Sequence, residues 1–204
     1  MEWVDGKRRC FWANPKNPLY IRYHDEEWGV PVHDDRKLFE MLLLESFQAG
    51  LSWESILNKR ENFRRAFDGF DPEKVAGYGE AKMEAFRKDA GIIRNRLKIR
   101  AAVGNAKAFL DIRKEWKTFD AYLWHWTEGK VLHETGQTSS PLSDAISKDL
   151  KKQGMKFVGT TIIYSYLQAV GVIDSHEDGC FKGNGGCEKM RNHFYSQPPF
   201  LYSS

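Results

Sequence analysis

The sequence predicts an all-α protein. Apolar residues recur at helical spacing in most segments, and cap residues stand in front of those segments. Only Thr160-Thr161-Ile162-Ile163-Tyr164 carries clear strand propensity. Taken in order, Asp34 or Asp35 caps a helix bearing Leu38, Phe39, Met41, Leu42, Leu43 and Leu44, which runs toward Ala49 and stops at Gly50. Ser52 caps the next, with Ile56, Leu57, Phe63 and Phe67 on one face. Asp71-Pro72, a cap followed by proline at the first helical position, opens a short helix through Val75. Glu80 to Ala90 forms another, ended by Gly91, and about Arg94 to Ile112 the longest, with Leu97, Ala101, Ala102, Ala106, Phe109 and Leu110 inward. Thr118 caps Phe119 to Trp126; residues 127–142 read as a polar loop. Ser143 caps a helix ending at Gly154, and Val158 to Val170 reads as a buried helix, its length and the terminal Gly171 outweighing the strand propensity.

A chain of 204 residues, 41% hydrophobic and 29% charged, fits one ordinary domain or two small lobes sharing a core, and excludes a disordered chain. The longest aliphatic run, Met41 to Leu44, is far below the ~20 residues of a membrane span. The charged N-terminus has no apolar stretch of a secretory signal behind it, so a soluble cytoplasmic protein is expected. Three cysteines, Cys10, Cys180 and Cys187, cannot build a disulfide scaffold. After Phe181 the composition turns to Gly, Asn, Ser and Pro, so a domain over 1–185 and a loose tail over 186–204 are expected.

The net charge of +3 is unremarkable until localised. Lys82 to Lys107 holds eight basic residues against Glu84 and Asp89, a local +6 that leaves −3 for the remainder. Such an excess is either a solvated face or a seat for a polyanion. At its centre lies Gly91-Ile92-Ile93-Arg94-Asn95-Arg96: a helix stops, two isoleucines plug the corner and a new helix begins. Backbone N–H groups there, with Arg94, Arg96 and Lys98, suit phosphate; an ordinary helical corner with surface arginines is the alternative.

Three further constellations bear chemistry. Glu45 shares the apolar face of Leu38, Met41 and Leu42, where a carboxylate is costly unless paired, neutral or functional; otherwise it snorkels from the edge or caps Ser52. Phe47-Gln48-Ala49-Gly50-Leu51-Ser52-Trp53 follows, a turn with an apolar tip and a Trp entering the next helix. Trp12, Tyr20, Tyr23 and Trp28 form either the wall of a pocket for a planar ligand or a packed flap. Cys10 and His24 near one end, with His176 and Cys180 near the other, form either a closed Cys₂His₂ zinc site or a buried Cys10 and Cys180 with His24 and His176 hydrogen-bonded nearby.

These pieces occur together, in this order, in one family. The sequence resembles the bacterial type I 3-methyladenine DNA glycosylases of the helix-hairpin-helix DNA glycosylase superfamily. The matching stretches are Arg9-Cys10 with Trp12, Pro18-Leu19-Tyr20-Ile21, Tyr23-His24-Asp25, Glu27-Trp28-Gly29-Val30-Pro31, Leu38-Phe39-Glu40-Met41 and Leu44-Glu45. They continue through Gln48-Ala49-Gly50-Leu51-Ser52-Trp53, Lys59-Arg60-Glu61-Asn62, Asp89 to Arg96 and Lys156 to Thr161. The resemblance implies a two-lobed helical fold with termini tethered by one structural Zn²⁺ on Cys10, His24, His176 and Cys180. It implies excision of 3-methyladenine and other 3-alkylated purines from double-stranded DNA by a monomer, leaving an abasic site. Glu45 is then the catalytic residue facing the flipped base, Trp53, Tyr20, Tyr23 and Trp12 bind that base, and Gly50 and Leu51 fill the space left in the duplex. Gly91, Ile92, Arg94 and Arg96 anchor the DNA. One departure is Ser46-Phe47, where the family carries a small or polar pair; Phe47 either packs or reshapes the pocket floor. Asp89 and Asp111 are both badly placed for a general base near the hairpin, so catalysis is expected by leaving-group capture and electrostatics. The alternative is a non-catalytic helix-hairpin-helix DNA-binding module, which gives Glu45 no task. A zinc hydrolase is disfavoured, because four protein ligands leave zinc no open position for water.

Overall fold

Helix α2 (Asp35–Gln48) is the spine on which the other elements are hung. The computed structural model describes Trp3 and residues 5–183, and among these the architecture is mainly helical, with one short pair of strands. Asp34 is its cap, accepting from Lys37 N at 2.8 Å. Leu38, Phe39 and Met41 to Leu44 are all buried, because the helix meets α3 (Trp53–Leu57), α7 (Arg96–Trp116), α8 (Phe119–His125) and α10 (Thr160–Ala169) on different sides. Helices α5 (Pro72–Ala76) and α6 (Glu80–Lys88) pack on α7, and α9 (Pro141–Lys152) packs on α10. One continuous apolar core joins these groups and reaches from Cys10 to Cys180.

Several expectations are corrected. The segment after Ser52 is two helices, α3 and α4 (Arg60–Ala66), broken at Asn58-Lys59, where the Asn58 side chain accepts from Asn17 Nδ2 at 3.0 Å. The α9 cap is Ser140, not Ser143: Pro141 follows it, and the two serines exchange side-chain and backbone bonds in a reciprocal box. The last residues expected in α6, Asp89 and Ala90, lie beyond its end, and α7 starts two residues late because Asn95 is its cap. The N-terminal aromatic segment is itself a helix, α1 (Pro18–Glu26), capped by Asn17 with proline at its first position. The loop over 127–142 contains β1 (Leu132–His133), which pairs in parallel with β2 (Ile173–Asp174). That pairing draws residues 134–138 toward the N-terminal helix. No helix among the described residues is long and apolar enough to cross a membrane. The expected tail at 186–204, with Cys187, lies outside the described residues.

Candidate functional site

A cavity of about 670 Å³ opens where α1, α2 and α3 face the 135–138 loop and α10. Tyr20 and Tyr23 enter it from α1, Glu45 and Gln48 from α2 and Trp53 from the first turn of α3. Trp12 and Trp28 complete the aromatic side. Ser52 holds Trp53 in place, its hydroxyl accepting from Ser55 N to start α3 immediately after the Gly50 turn. The Tyr23 and Trp53 rings lie 5.2 Å apart, and Trp12 touches both Tyr20 at 5.4 Å and Trp28 at 4.8 Å. The pocket reading of these aromatics therefore prevails over the flap.

Glu45 is 3% exposed, and its Oε2 is buried with no hydrogen-bond partner among the described residues. Burial in apolar surroundings raises its carboxyl to about 8. It neither snorkels nor caps Ser52. Trp53 Nε1 is a second buried, unpartnered polar atom on the same wall. Burial, and then the nearness of Glu45, lift the Tyr23 phenol well above its usual range, and burial pushes Tyr20 up to about 12, so both present neutral faces. The cavity is thus an aromatic slot with one carboxyl group and one indole donor left without partners. A flat ligand carrying positive charge and an acceptor would complete both.

The opposite wall went unread in the sequence. Thr135, Gly136, Gln137 and Thr138 supply one part, and Ser165, Gln168 and Ser175 another, with Gln168 Nε2 donating to Ser175 Oγ at 2.7 Å. The only signal was the polar composition of residues 127–142, which does not reveal that β1 carries the loop to the pocket. Phe47 is not in the lining: it packs edge-on against Phe63 at 4.9 Å, so it fills the core and leaves the floor unchanged. Asp89 accepts from Gly91 N and Asp111 pairs with Lys114, and neither lines the cavity.

Beyond the rim, Gly50 takes φ +78°, a left-handed value suited to glycine, and Leu51 is left 43% exposed at the tip. The connection between α6 and α7 follows at Gly91–Arg96, held by Lys59 Nζ on Ala90 O and Asn62 Nδ2 on Gly91 O. Arg94 and Arg96 are exposed as expected. Ile92 is 2% exposed, so its side chain plugs the corner as expected and leaves only its backbone to face a phosphate. One expectation fails here. Lys98 points inward, donating to Phe47 O at 2.8 Å and Ala49 O at 2.6 Å, and is no phosphate ligand. Asn95 already accepts from Leu97 N and Lys98 N, so the α7 terminus offers fewer open N–H groups than the sequence implied.

Cys10, His24 and Cys180 converge behind the aromatic wall, while His176 lies outside that group, its ring 5.3 Å from the His24 ring. Ligand atoms of Cys10, His24 and Cys180 all lie within 4.8 Å of one another, and Cys180 Sγ is 3.5 Å from His24 Nε2. With Zn–N of ~2.0 Å and Zn–S of ~2.3 Å, neighbouring ligands of a tetrahedral zinc stand about 3.5 Å apart. Asp25 Oδ1 holds His24 Nδ1 at 2.8 Å and Asp174 Oδ1 holds His176 Nδ1 at 2.7 Å, leaving each Nε2 to face inward. His176 Nε2 is buried without a partner among the described residues. Gly29, at φ +74°, lets that ring approach: a Cβ there would stand 2.7 Å from His176 Cε1. A thiol hydrogen bond from Cys10, then one with His24, holds Cys180 below the usual thiol range, while the same bond raises Cys10. The donor set fits a thiolate-binding metal.

A family model described as methyladenine glycosylase matches residues 12–183. The chain is 50% identical over 185 residues to DNA-3-methyladenine glycosylase 1 of Escherichia coli strain K12, covering 86% of this chain and 98% of the relative. A crystal structure of 3-methyladenine DNA glycosylase I superposes with a TM-score of 0.82 at 47% identity, covering 86% of this chain and 99% of that one. A single-substitution variant of 3-methyladenine DNA glycosylase I, solved in complex with 3-methyladenine, superposes at 0.79 with 36% identity over 81% and 92% of the two chains.

Proposed function

The chain belongs to the methyladenine glycosylase family, and on that premise we propose how its pocket removes a damaged base. The protein is a DNA-3-methyladenine glycosylase, a hydrolase that cleaves the bond joining an alkylated purine to its deoxyribose in DNA. The observation that carries the assignment to this site is Glu45, a buried carboxyl group with an unpartnered oxygen in an aromatic slot.

A base inside a duplex is out of reach, so it must be extruded at a cost of ~a few kcal/mol, less when damage weakens its pairing. Alkylation at N3 leaves the nucleotide's base cationic. Entering the slot, that cation meets the faces of Tyr20, Tyr23, Trp53 and Trp12 and a carboxyl that ionises as positive charge arrives. Unmodified adenine brings no charge and gains nothing from ionised Glu45. The cationic base is already a good leaving group; holding it while the bond to the sugar breaks, and water adds to the sugar carbon, needs no strong base. An abasic site remains. Leu51 on its Gly50 turn occupies the gap in double-stranded DNA, while Arg94, Arg96 and the backbone at Gly91 and Ile92 hold the phosphates. Incubating N-methylated DNA with the protein and chromatographing the released bases tests the reading: 3-methyladenine appears, and an outcome with no released base favours the non-catalytic DNA-binding module.

The four residues Cys10, His24, His176 and Cys180 would hold one zinc ion, which supplies no chemistry to the reaction and ties the two ends of the domain together. Elemental analysis is expected to give about one zinc per chain. Cys180→Ala should lose zinc and thermal stability together; full stability in a zinc-free preparation contradicts this role.

A further inference from the structure

Helix α2 ends beside the pocket with no basic residue of its own in its last turn, so its final carbonyls need a donor from elsewhere. Lys98 supplies it. The side chain is 6% exposed, and its ammonium bonds Phe47 O and Ala49 O, the carbonyls on either side of Gln48. One residue further on is Gly50, then Leu51, whose N–H closes the turn on Gln48 O at 2.6 Å. Lys98 stands in the first turn of α7, its own N–H held by Asn95, between the exposed Arg94 and Arg96. Two turns along the same face of α7, Asn105 exchanges two bonds with the Lys156 backbone, at 2.9 and 2.8 Å. This fixes Phe157 at φ +56°, with its ring 6.0 Å from the Lys98 ammonium. One helix face therefore grips the end of α2 and closes the compartment around that grip.

We propose that Lys98 is a positioning residue for excision from duplex DNA, transmitting the location of the phosphate-bound hairpin to the Gly50–Leu51 tip. The inference rests on the reading that Leu51 fills the duplex gap. The hairpin fixes where the strand lies, and the tip must then enter the stack at a set offset from it. A displacement near 1 Å in such a constellation is enough to cost about a hundredfold in rate. Single-stranded DNA has no gap to fill and does not need this register.

Single-turnover excision of 3-methyladenine from double- and single-stranded oligonucleotides carrying the lesion tests the proposal. Lys98→Met should lower the duplex-to-single-strand rate ratio at least ~fivefold, with the Kd for free 3-methyladenine within about twofold of wild type. Leu51→Ala should lower the same ratio, and the double variant should fall within about twofold of the lower single one, because both act on one step. Should Lys98→Met fail to fold, Lys98→Arg, which keeps the charge but changes the donor geometry, is expected to shift the ratio in the same direction. Equal losses on both substrates, or fully multiplicative losses in the double variant, reduce Lys98 to a structural residue and overturn the proposal. A ratio moved by Leu51→Ala but by neither Lys98 variant overturns it as well. A ratio unmoved by Leu51→Ala instead overturns the reading of Leu51 on which it rests.

Discussion

Glu40 and Glu45 are both buried on helix α2, five residues apart, and their surroundings differ completely. Glu40 Oε1 accepts from Arg60 Nε at 2.7 Å and from Arg64 Nε at 3.0 Å, and Arg60 reaches on to Glu27 Oε1 at 3.0 Å. This network ties α2, α4 and the segment after α1 into one block. Glu45 faces a cavity and, among the described residues, has no cation beside it and keeps one oxygen unpartnered. The first carboxylate is completed by the fold. The second awaits a ligand, and the fold bears the cost of keeping it open. Burial alone identifies neither; the partner list does.

The difference can be broken from either side. Arg60→Met leaves Glu40 with the partly exposed Arg64 as its one remaining cation and takes Arg60 from Glu27, and should destabilise the protein by about 1.5–3 kcal/mol in denaturant titration. A loss below ~1 kcal/mol would mean the network is decorative.

Glu45→Gln should act in the opposite sense. The folded-state carboxyl, raised to about 8, keeps its proton while an unfolded glutamate releases it near 4.5, so wild-type stability falls as pH rises from 4.5 to 8. The variant, lacking this titration, should match wild type near pH 4 and exceed it by about 5 kcal/mol above pH 8. Parallel stability curves over that range would show that Glu45 is satisfied in solution.

On the pocket side, Trp53→Ala should weaken free 3-methyladenine by ~1–3 kcal/mol, the range of a lost base-stacking contact, with little change in the Arg60 network. An unchanged Kd would remove Trp53 from the wall.

Much of this was legible in the residues. Asp34, Ser52, Asp71-Pro72 and Thr118 each announced a helix because a cap and the segment it starts are neighbours in the chain. Glu45 was legible because it interrupts an apolar stripe. Helix α1 was missed because aromatic and polar side chains alternate along it without an apolar face: the tyrosines turn toward the pocket and Arg22 toward water. Lys98 was misread for a different reason. A lysine within a basic run looks solvated, and its true partners are carbonyls some fifty residues earlier, which no local pattern encodes. The far pocket wall shares that cause, since it depends on β1 meeting β2 across forty residues.

The central claim is that ionised Glu45 recognises a cationic base, and the pH dependence of single-turnover excision on 3-methyladenine-containing duplex DNA tests it most directly. For the wild type, the second-order rate of excision at subsaturating enzyme should climb as pH rises toward about 8 and then level off, following ionisation of the free enzyme's carboxyl. Glu45→Gln should remain folded, excise far more slowly and show no such climb. Equal rates for the two proteins across the range, or the same rise in both, would contradict the account.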